Sequence, residues 1–119
     1  GVQVMKMVIA YIQSHMGEKV MSALQAIPEV PGASIVEVRG FGRGRGKGEA
    51  SALATQVAQW GTLRKLRIET MIPDSIEEEV VKVIRETACT GSYGDGKIYV
   101  TSIDSAMRIR TAEVGAEAL

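Results

Sequence analysis

The hydrophobic pattern of the N-terminal part of the chain predicts a β-strand that is apolar on both faces, followed by a helix. Over residues 5–12 both pleat faces carry apolar side chains: Met7, Ile9 and Tyr11 on one, and Val8, Ala10 and Ile12 on the other. The next apolar residues follow helical spacing: Val20, Ala23, Leu24 and Ile27. Pro28 and the Pro31-Gly32 pair then end this helix.

The remaining pattern predicts two more strands, a second helix and two final strands. A β-branched run marks a strand over 33–39, and strict alternation marks another over 64–72. Ser75 and Glu78 form a capping box at the start of a helix that ends at Gly91, a left-handed C′ residue. Strands over about 97–101 and 107–111 follow. The order β-α-β, long loop, β-α-β indicates an α+β, ferredoxin-like fold with an antiparallel sheet.

This fold covers one face of its sheet with helices, but the first strand is apolar on both faces. We therefore expect an oligomer that covers the second face. Composition agrees with a single globular domain over residues 1–119, since 45% of the residues are hydrophobic and the net charge is zero. No apolar run reaches a membrane-spanning length and no export signal is evident, so we expect a cytoplasmic protein. The lone cysteine, Cys89, is expected to be a buried thiol.

The connection between strands 2 and 3 is long and unusual. Glycines alternate with basic residues over 39–48, and Leu53, Val57 and Trp60 follow at helical spacing within 50–60. A connection of this length suggests function. One interpretation is an RNA-binding module that uses the Arg/Gly run. The zero net charge and the absence of an aromatic RNP1 pattern in strand 4 argue against nucleic acid as a partner.

The glycine-rich segment 91–97 comes close to a phosphate-binding P-loop. Ile98 stands where the magnesium-binding hydroxyl belongs, and the loop leads from helix to strand, so the segment is not a Walker A motif. Its amides and Lys97 are still suited to a phosphate. The alternative is a tight turn that needs positive φ angles. Because we find no nucleophile–base pair, catalytic residue or metal-ligand cluster, we do not expect an enzyme.

Two arginines near the C-terminus also suit an anion. On the predicted strand 107–111, Arg108 and Arg110 share one face while Ile109 points into the core. Two like charges on one face favour an anion between them, and the guanidinium fork matches phosphate. The alternative is a solvated edge strand.

Four segments together resemble the PII signal-transduction proteins: Val-Arg-Gly-Phe-Gly-Arg at 38–43, Ile-Pro-Asp at 72–74, Gly-Asp-Gly-Lys-Ile at 94–98 and Arg-Ile-Arg-Thr at 108–111. Their order and spacing match over about residues 5–115. The resemblance implies a homotrimeric regulator that binds ATP, ADP or AMP at its subunit clefts. It also implies a T-loop over about 43–63, a B-loop over about 90–97 and a C-terminal segment over about 107–119.

The resemblance assigns nucleotide-binding positions to this chain. They are Gly32, Ser34, Gly42, Arg43, Glu69, Met71, Gly94, Asp95, Gly96, Lys97, Arg108 and Arg110. Of these, Arg108 and Arg110 reach the phosphates from the neighbouring subunit. Leu53, Val57 and Trp60 become the T-loop surface that faces a protein partner, such as a transporter or a metabolic enzyme.

The departures from the family concern its second ligand. Gly44 replaces a glutamine that helps nitrogen-sensing members bind magnesium and 2-oxoglutarate, and Gln13 stands where lysine is common, whereas Lys65 is kept. The T-loop lacks the tyrosine that enteric-type members uridylylate. We expect bicarbonate or another small anion at Gly42, Arg43, Gly44, Arg45 and Lys65, and the need for magnesium stays open. The alternative is a regulator that senses 2-oxoglutarate and ATP.

Overall fold

A computed structural model describes residues 4–40 and 63–119 of the chain. Within them lie four strands and two helices: β1 (Met5–Gln13), α1 (Gly17–Gln25), β2 (Ser34–Gly40), β3 (Leu63–Pro73), α2 (Glu77–Ala88) and β4 (Lys97–Ile103). The strands form one sheet in the order β2-β3-β1-β4, and each neighbouring pair is antiparallel. This is the ferredoxin-like α+β arrangement that the sequence predicts.

The helices pack on one face of the sheet and form the core there. In α1, Val20 and Leu24 are spaced by four residues and are buried, so one helical stripe faces inward. In α2, Val80, Ile84 and Ala88 repeat this spacing. They meet the even-numbered residues of the central strands, namely Val8, Ala10, Ile12, Ile68 and Ile72. The predicted alternation of 64–72 is thereby confirmed.

The opposite face of the sheet carries apolar and charged side chains, and neither α1 nor α2 packs on it. Tyr11 and Tyr99 meet edge to face there, with ring centroids 6.2 Å apart. Arg67 lies over the Tyr11 ring at 5.9 Å and pairs with Glu69, whose Oε2 is 3.0 Å from Arg67 Nη2. Met7 and Ile9 also lie on this face and are partly buried. Both faces of β1 therefore carry apolar side chains, as expected.

Both ends of α2 differ from the prediction. A 3-10 helix over Asp74–Ile76 precedes α2, and no side chain caps the helix, so Ser75 and Glu78 do not form a capping box. The helix ends at Ala88, because Cys89 already has extended backbone angles. Gly91 does have a positive φ of 86°, but it lies in the following turn. Cys89 is exposed, which contradicts the expected buried thiol.

The predicted strand 107–111 is also wrong. Met107 makes only an isolated bridge with Val114, and the chain turns between them with Ala112 at a φ of 62°. Ile109 is 99% exposed rather than part of the core. Alternation over five residues predicted a strand, but none of the four strands in residues 4–40 and 63–119 pairs with this segment, so it has little reason to remain extended.

Membrane-spanning helices and clusters of metal-ligating side chains are both absent from the described residues. No helix in residues 4–40 and 63–119 has the length and apolar character needed to cross a bilayer. Within the same ranges, no three His, Cys, Asp or Glu side chains cluster in a way that suits a metal ion.

Candidate functional site

The loop between α2 and β4 is organised around one carboxylate. Asp95 Oδ2 accepts hydrogen bonds from the backbone N–H of Thr90 at 2.7 Å and of Gly91 at 2.8 Å. Asp95 Oδ1 accepts another from the Thr90 hydroxyl. Burial acts to raise the pKa of Asp95, but the hydrogen bonds from Thr90, Gly91 and Ser92 hold this pKa below its ordinary value. The loop is therefore a pre-formed turn with a charged centre.

Gly96 brings this loop directly against β1. A Cβ added to Gly96 would lie 1.7 Å from the carbonyl oxygen of Tyr11, and the residue has a φ of +104°. Only glycine satisfies both the positive φ and the close approach. Gly91 has a φ of +86° but open space around it. Positive φ angles are thus confirmed for both glycines, so the tight-turn interpretation holds alongside any role in binding.

Two side chains from the sheet hold the loop from the other side. Gln13 and Lys65 are cross-strand partners of β1 and β3. Lys65 Nζ donates to the carbonyl oxygen of Gly94, and Gln13 Nε2 donates to Asp95 Oδ1 at 2.9 Å. Burial lowers the pKa of Lys65, and the nearby Asp95 carboxylate opposes this shift in part. The phosphate-suited loop and the start of β3, where the long connection ends, are therefore in contact.

Polar donors converge at Gly94. A Cβ built on this residue would lie 3.4 Å from Lys65 Nζ, 3.6 Å from Gln13 Nε2 and 3.7 Å from Ser92 Oγ. An ammonium, an amide and a hydroxyl thus surround one glycine. The sequence analysis assigned Lys65 and Gly94 to ligand binding but predicted no contact of Gln13 or Ser92 with Gly94. Strand register is the signal that could have found Gln13, because it places this residue directly opposite Lys65.

Lys97 completes the basic side of the loop. It is the first residue of β4 and is exposed, and its cross-strand partner is Tyr11. A cavity of about 200 Å³ lies beside it, lined by Asp95, Gly96 and Lys97 and by apolar residues that include Ile12 and Ile84. The structure therefore brings together Gly94, Asp95, Gly96, Lys97 and Lys65.

The other assigned nucleotide-binding positions of the sheet lie where β2 pairs with β3. Ser34 and Glu69 are cross-strand partners, and Met71 lies two residues beyond Glu69 on the same face. Gly32 is held beside them because its carbonyl oxygen accepts a 2.6 Å hydrogen bond from Thr70 Oγ1. Thr70 is the one buried polar side chain in residues 4–40 and 63–119. Sequence analysis missed its role, although a hydroxyl on an otherwise apolar strand face was a visible signal.

The C-terminal arginines are not arranged as predicted. Arg108 pairs with Glu113 at 3.7 Å and donates to the carbonyl oxygen of Leu119 at 2.9 Å, while Arg110 is exposed. Because the segment is not a strand, the two guanidinium groups have no shared sheet face. Within one subunit the hydrogen bonds of Arg108 stay inside the C-terminal segment.

Several assigned residues lie outside the described part of the chain. They are Gly42, Arg43, Gly44, Arg45, Leu53, Val57 and Trp60. The helix expected over 50–60 and the Arg/Gly run beyond Gly40 fall in the same stretch, so these predictions stay predictions.

Comparison with known proteins supports the resemblance. The family model described as nitrogen regulatory protein P-II matches residues 5–113. Proteins named nitrogen regulatory protein P-II are 38% identical in Bradyrhizobium diazoefficiens and 40% identical in Rhodobacter capsulatus, each over 97% of this chain and 100% of the relative.

Two solved structures share the fold. One is Arabidopsis thaliana PII bound to citrate, with a TM-score of 0.75, 29% identity and coverage of 98% of this chain and 92% of that one. The other is the GlnK–ATP complex of B. subtilis, with a TM-score of 0.77, 28% identity and coverage of 98% and 96%. This chain belongs to the P-II family of nitrogen regulatory proteins, which are signal-transduction proteins and not enzymes.

Proposed function

We propose that this protein is a sensor of adenine nucleotides in which the loop 90–97 holds the phosphates. The observation that carries the proposal is the loop itself, a turn fixed by Asp95 with Gly96 pressed against β1 and Lys97 beside it. A fixed turn with a lysine binds a phosphate without paying the entropy of ordering a flexible segment. The ATP complex of the structural relative from B. subtilis supports this choice of ligand.

The proposed site is completed by a homotrimer. The helix-free face of the sheet carries partly buried apolar residues such as Ile9 and Tyr11, and Val36 on this face is 53% exposed in the single chain. Packing of this face against other subunits removes that apolar surface from water. In the same assembly Arg108 and Arg110 of a neighbouring subunit reach the phosphates. Arg108 then exchanges its contacts with Glu113 and Leu119 for the ligand.

The proposed second ligand is a small anion such as bicarbonate. Lys65 supplies an ammonium at Gly94, and the assigned effector positions Arg43 and Arg45 add two further positive charges, so the site suits a small anion. Gly44 adds no side chain to hold magnesium or 2-oxoglutarate. Lys65 lies just after the long connection, so an anion that draws it from the Gly94 carbonyl changes the base of the T-loop and its fit to a protein partner.

Sensing of 2-oxoglutarate is the second candidate, and the retained Lys65 favours it. The two candidates make opposite predictions for one titration series. If the anion is bicarbonate, it tightens nucleotide binding and 2-oxoglutarate has no effect. If the protein is a 2-oxoglutarate regulator, 2-oxoglutarate with magnesium tightens ATP binding and bicarbonate has no effect.

Substitution of Lys97 tests the phosphate site. We expect Lys97→Ala to weaken ATP binding by about tenfold or more, because a charge-assisted contact is lost, and to leave the fold intact because Lys97 is exposed. Isothermal titration calorimetry with ATP measures this, and circular dichroism checks the fold. Lys82→Ala is the matched control, since Lys82 is an exposed lysine of α2 outside the loop. Equal ATP affinity in the two variants contradicts the proposed site.

A further inference from the structure

Gln13 makes a long-range contact to the centre of the phosphate loop. Its Nε2 donates to Asp95 Oδ1 at 2.9 Å, although the two residues are 82 positions apart in the sequence. The other donors to this carboxylate, Thr90, Gly91 and Ser92, belong to the loop. Among the described residues, Gln13 and Lys65 are thus the two side chains of the sheet that donate hydrogen bonds to the loop.

The position of Gln13 makes this contact well defined. It is the last residue of β1, is partly buried, and lies opposite Lys65 in the strand register. Its backbone is held by the sheet, so the amide costs little additional ordering when it bonds to Asp95. A hydrogen bond to a charged acceptor is also stronger than one between neutral groups.

Gln13 holds Asp95 without adding charge. The carboxylate keeps the Thr90 and Gly91 amides in the turn that carries Gly96 and Lys97. A lysine here would also reach an acceptor, but it would place a second ammonium beside Lys65, whose pKa burial already lowers. A neutral glutamine therefore fixes the loop through Asp95, while Lys65 stays the cation beside Gly94.

We infer that Gln13 is a positioning residue for the nucleotide phosphates, acting through Asp95 and touching no ligand itself. The inference rests on the proposed nucleotide site. It assigns to Gln13 a share of the ATP affinity that comes from the order of the loop and not from a direct contact.

The test compares four full-length proteins: the unchanged chain, Gln13→Ala, Gln13→Lys and Gln25→Ala. Gln25 is an exposed glutamine at the end of α1 and is the matched control. Two quantities are measured on each: the hydrogen exchange rates of the Thr90 and Gly91 amides by NMR without ligand, and the dissociation constant for ATP by calorimetry.

We expect Gln13→Ala to speed exchange at both amides and to weaken ATP binding about tenfold, the loss typical of a hydrogen bond to a charged group. Gln13→Lys should restore slow amide exchange and ATP affinity, because a lysine can again donate a hydrogen bond to Asp95. Gln25→Ala should change neither the exchange rates nor the ATP affinity. A merely structural role for Gln13 would not give this joint rescue by lysine.

Two results overturn the inference. In one, Gln13→Ala binds ATP within about twofold of the unchanged chain, which is the range expected of a surface substitution. In the other, Gln13→Lys protects the amides but leaves ATP binding weak, so that loop order does not govern affinity. If the unchanged chain binds no ATP, the proposed function fails with the inference. If it binds and Gln13→Ala binds equally well, only the inference fails.

Discussion

Replacing Gly96 by alanine perturbs a close contact between the loop 90–97 and the sheet. The new Cβ would lie 1.7 Å from the Tyr11 carbonyl oxygen and 2.7 Å from its carbonyl carbon, on a backbone with a φ of +104°. Both neighbouring atoms belong to the main chain of a central strand, so no side chain can rotate away. The loop must then move off β1, or β1 must shift.

The size of the effect follows from two contributions. An L-residue at positive φ costs about 1–2 kcal/mol. Forcing extra volume into a packed contact adds about 1–3 kcal/mol. We therefore expect Gly96→Ala to lower the free energy of unfolding by about 2–5 kcal/mol, the sum of these two ranges.

Gly91→Ala is the matched control. Gly91 has a φ of +86° in the same loop, but nothing lies within 4 Å of its would-be Cβ. Gly91→Ala should therefore lower the free energy of unfolding only by the cost of an L-residue at positive φ, about 1–2 kcal/mol. Urea unfolding at one fixed protein concentration measures both variants, since oligomer stability depends on concentration. ATP titration of the folded variants then shows whether the displaced loop still binds. Equal destabilisation by the two alanines would refute the close approach of Gly96 to β1.

Two further predictions concern Thr70 and Asp95. Thr70→Val should lower the free energy of unfolding by about 0.5–1.5 kcal/mol in urea unfolding, because the hydrogen bond from Thr70 Oγ1 to the carbonyl oxygen of Gly32 is lost; an unchanged value would contradict that hydrogen bond. The pKa of Asp95 is held below its ordinary value of 3.8. Ionised Asp95 therefore adds its full contribution to the free energy of unfolding above pH 3.8, and this contribution is lost as pH falls through the lower pKa of the folded protein. Asp95→Asn should therefore flatten the acid limb of a stability-against-pH curve below about pH 4, and an unchanged limb would argue against the hydrogen bonds from Thr90 and Gly91.

The fold could be predicted from the sequence because its signals are local and repeated. A short apolar run predicted β1, alternation predicted β3, and apolar residues at helical spacing predicted α1 and α2, in agreement with the structure. Short segments gave weaker signals. The alternation at 107–111 predicts a strand, but within residues 4–40 and 63–119 the segment turns and bonds to itself, with the Arg108 N–H donating to the carbonyl oxygen of Glu113.

The site was only partly predictable, because its contacts depend on register and packing. Glycine spacing predicted a tight turn at 91–97, and the structure has this turn, whereas the predicted role of the loop and Lys97 in phosphate binding stays a prediction. The contacts of Gln13 with Asp95 and of Thr70 with Gly32 join residues far apart in the chain. A single sequence states which residues are polar, but the sheet register decides which of them meet.

The most direct test of the nucleotide sensor is a calorimetric titration of the unchanged protein with ATP, ADP and AMP, each with and without bicarbonate. The account predicts micromolar binding of at least one nucleotide, made tighter by the anion. Absence of binding by all three nucleotides, with the protein folded, would contradict it.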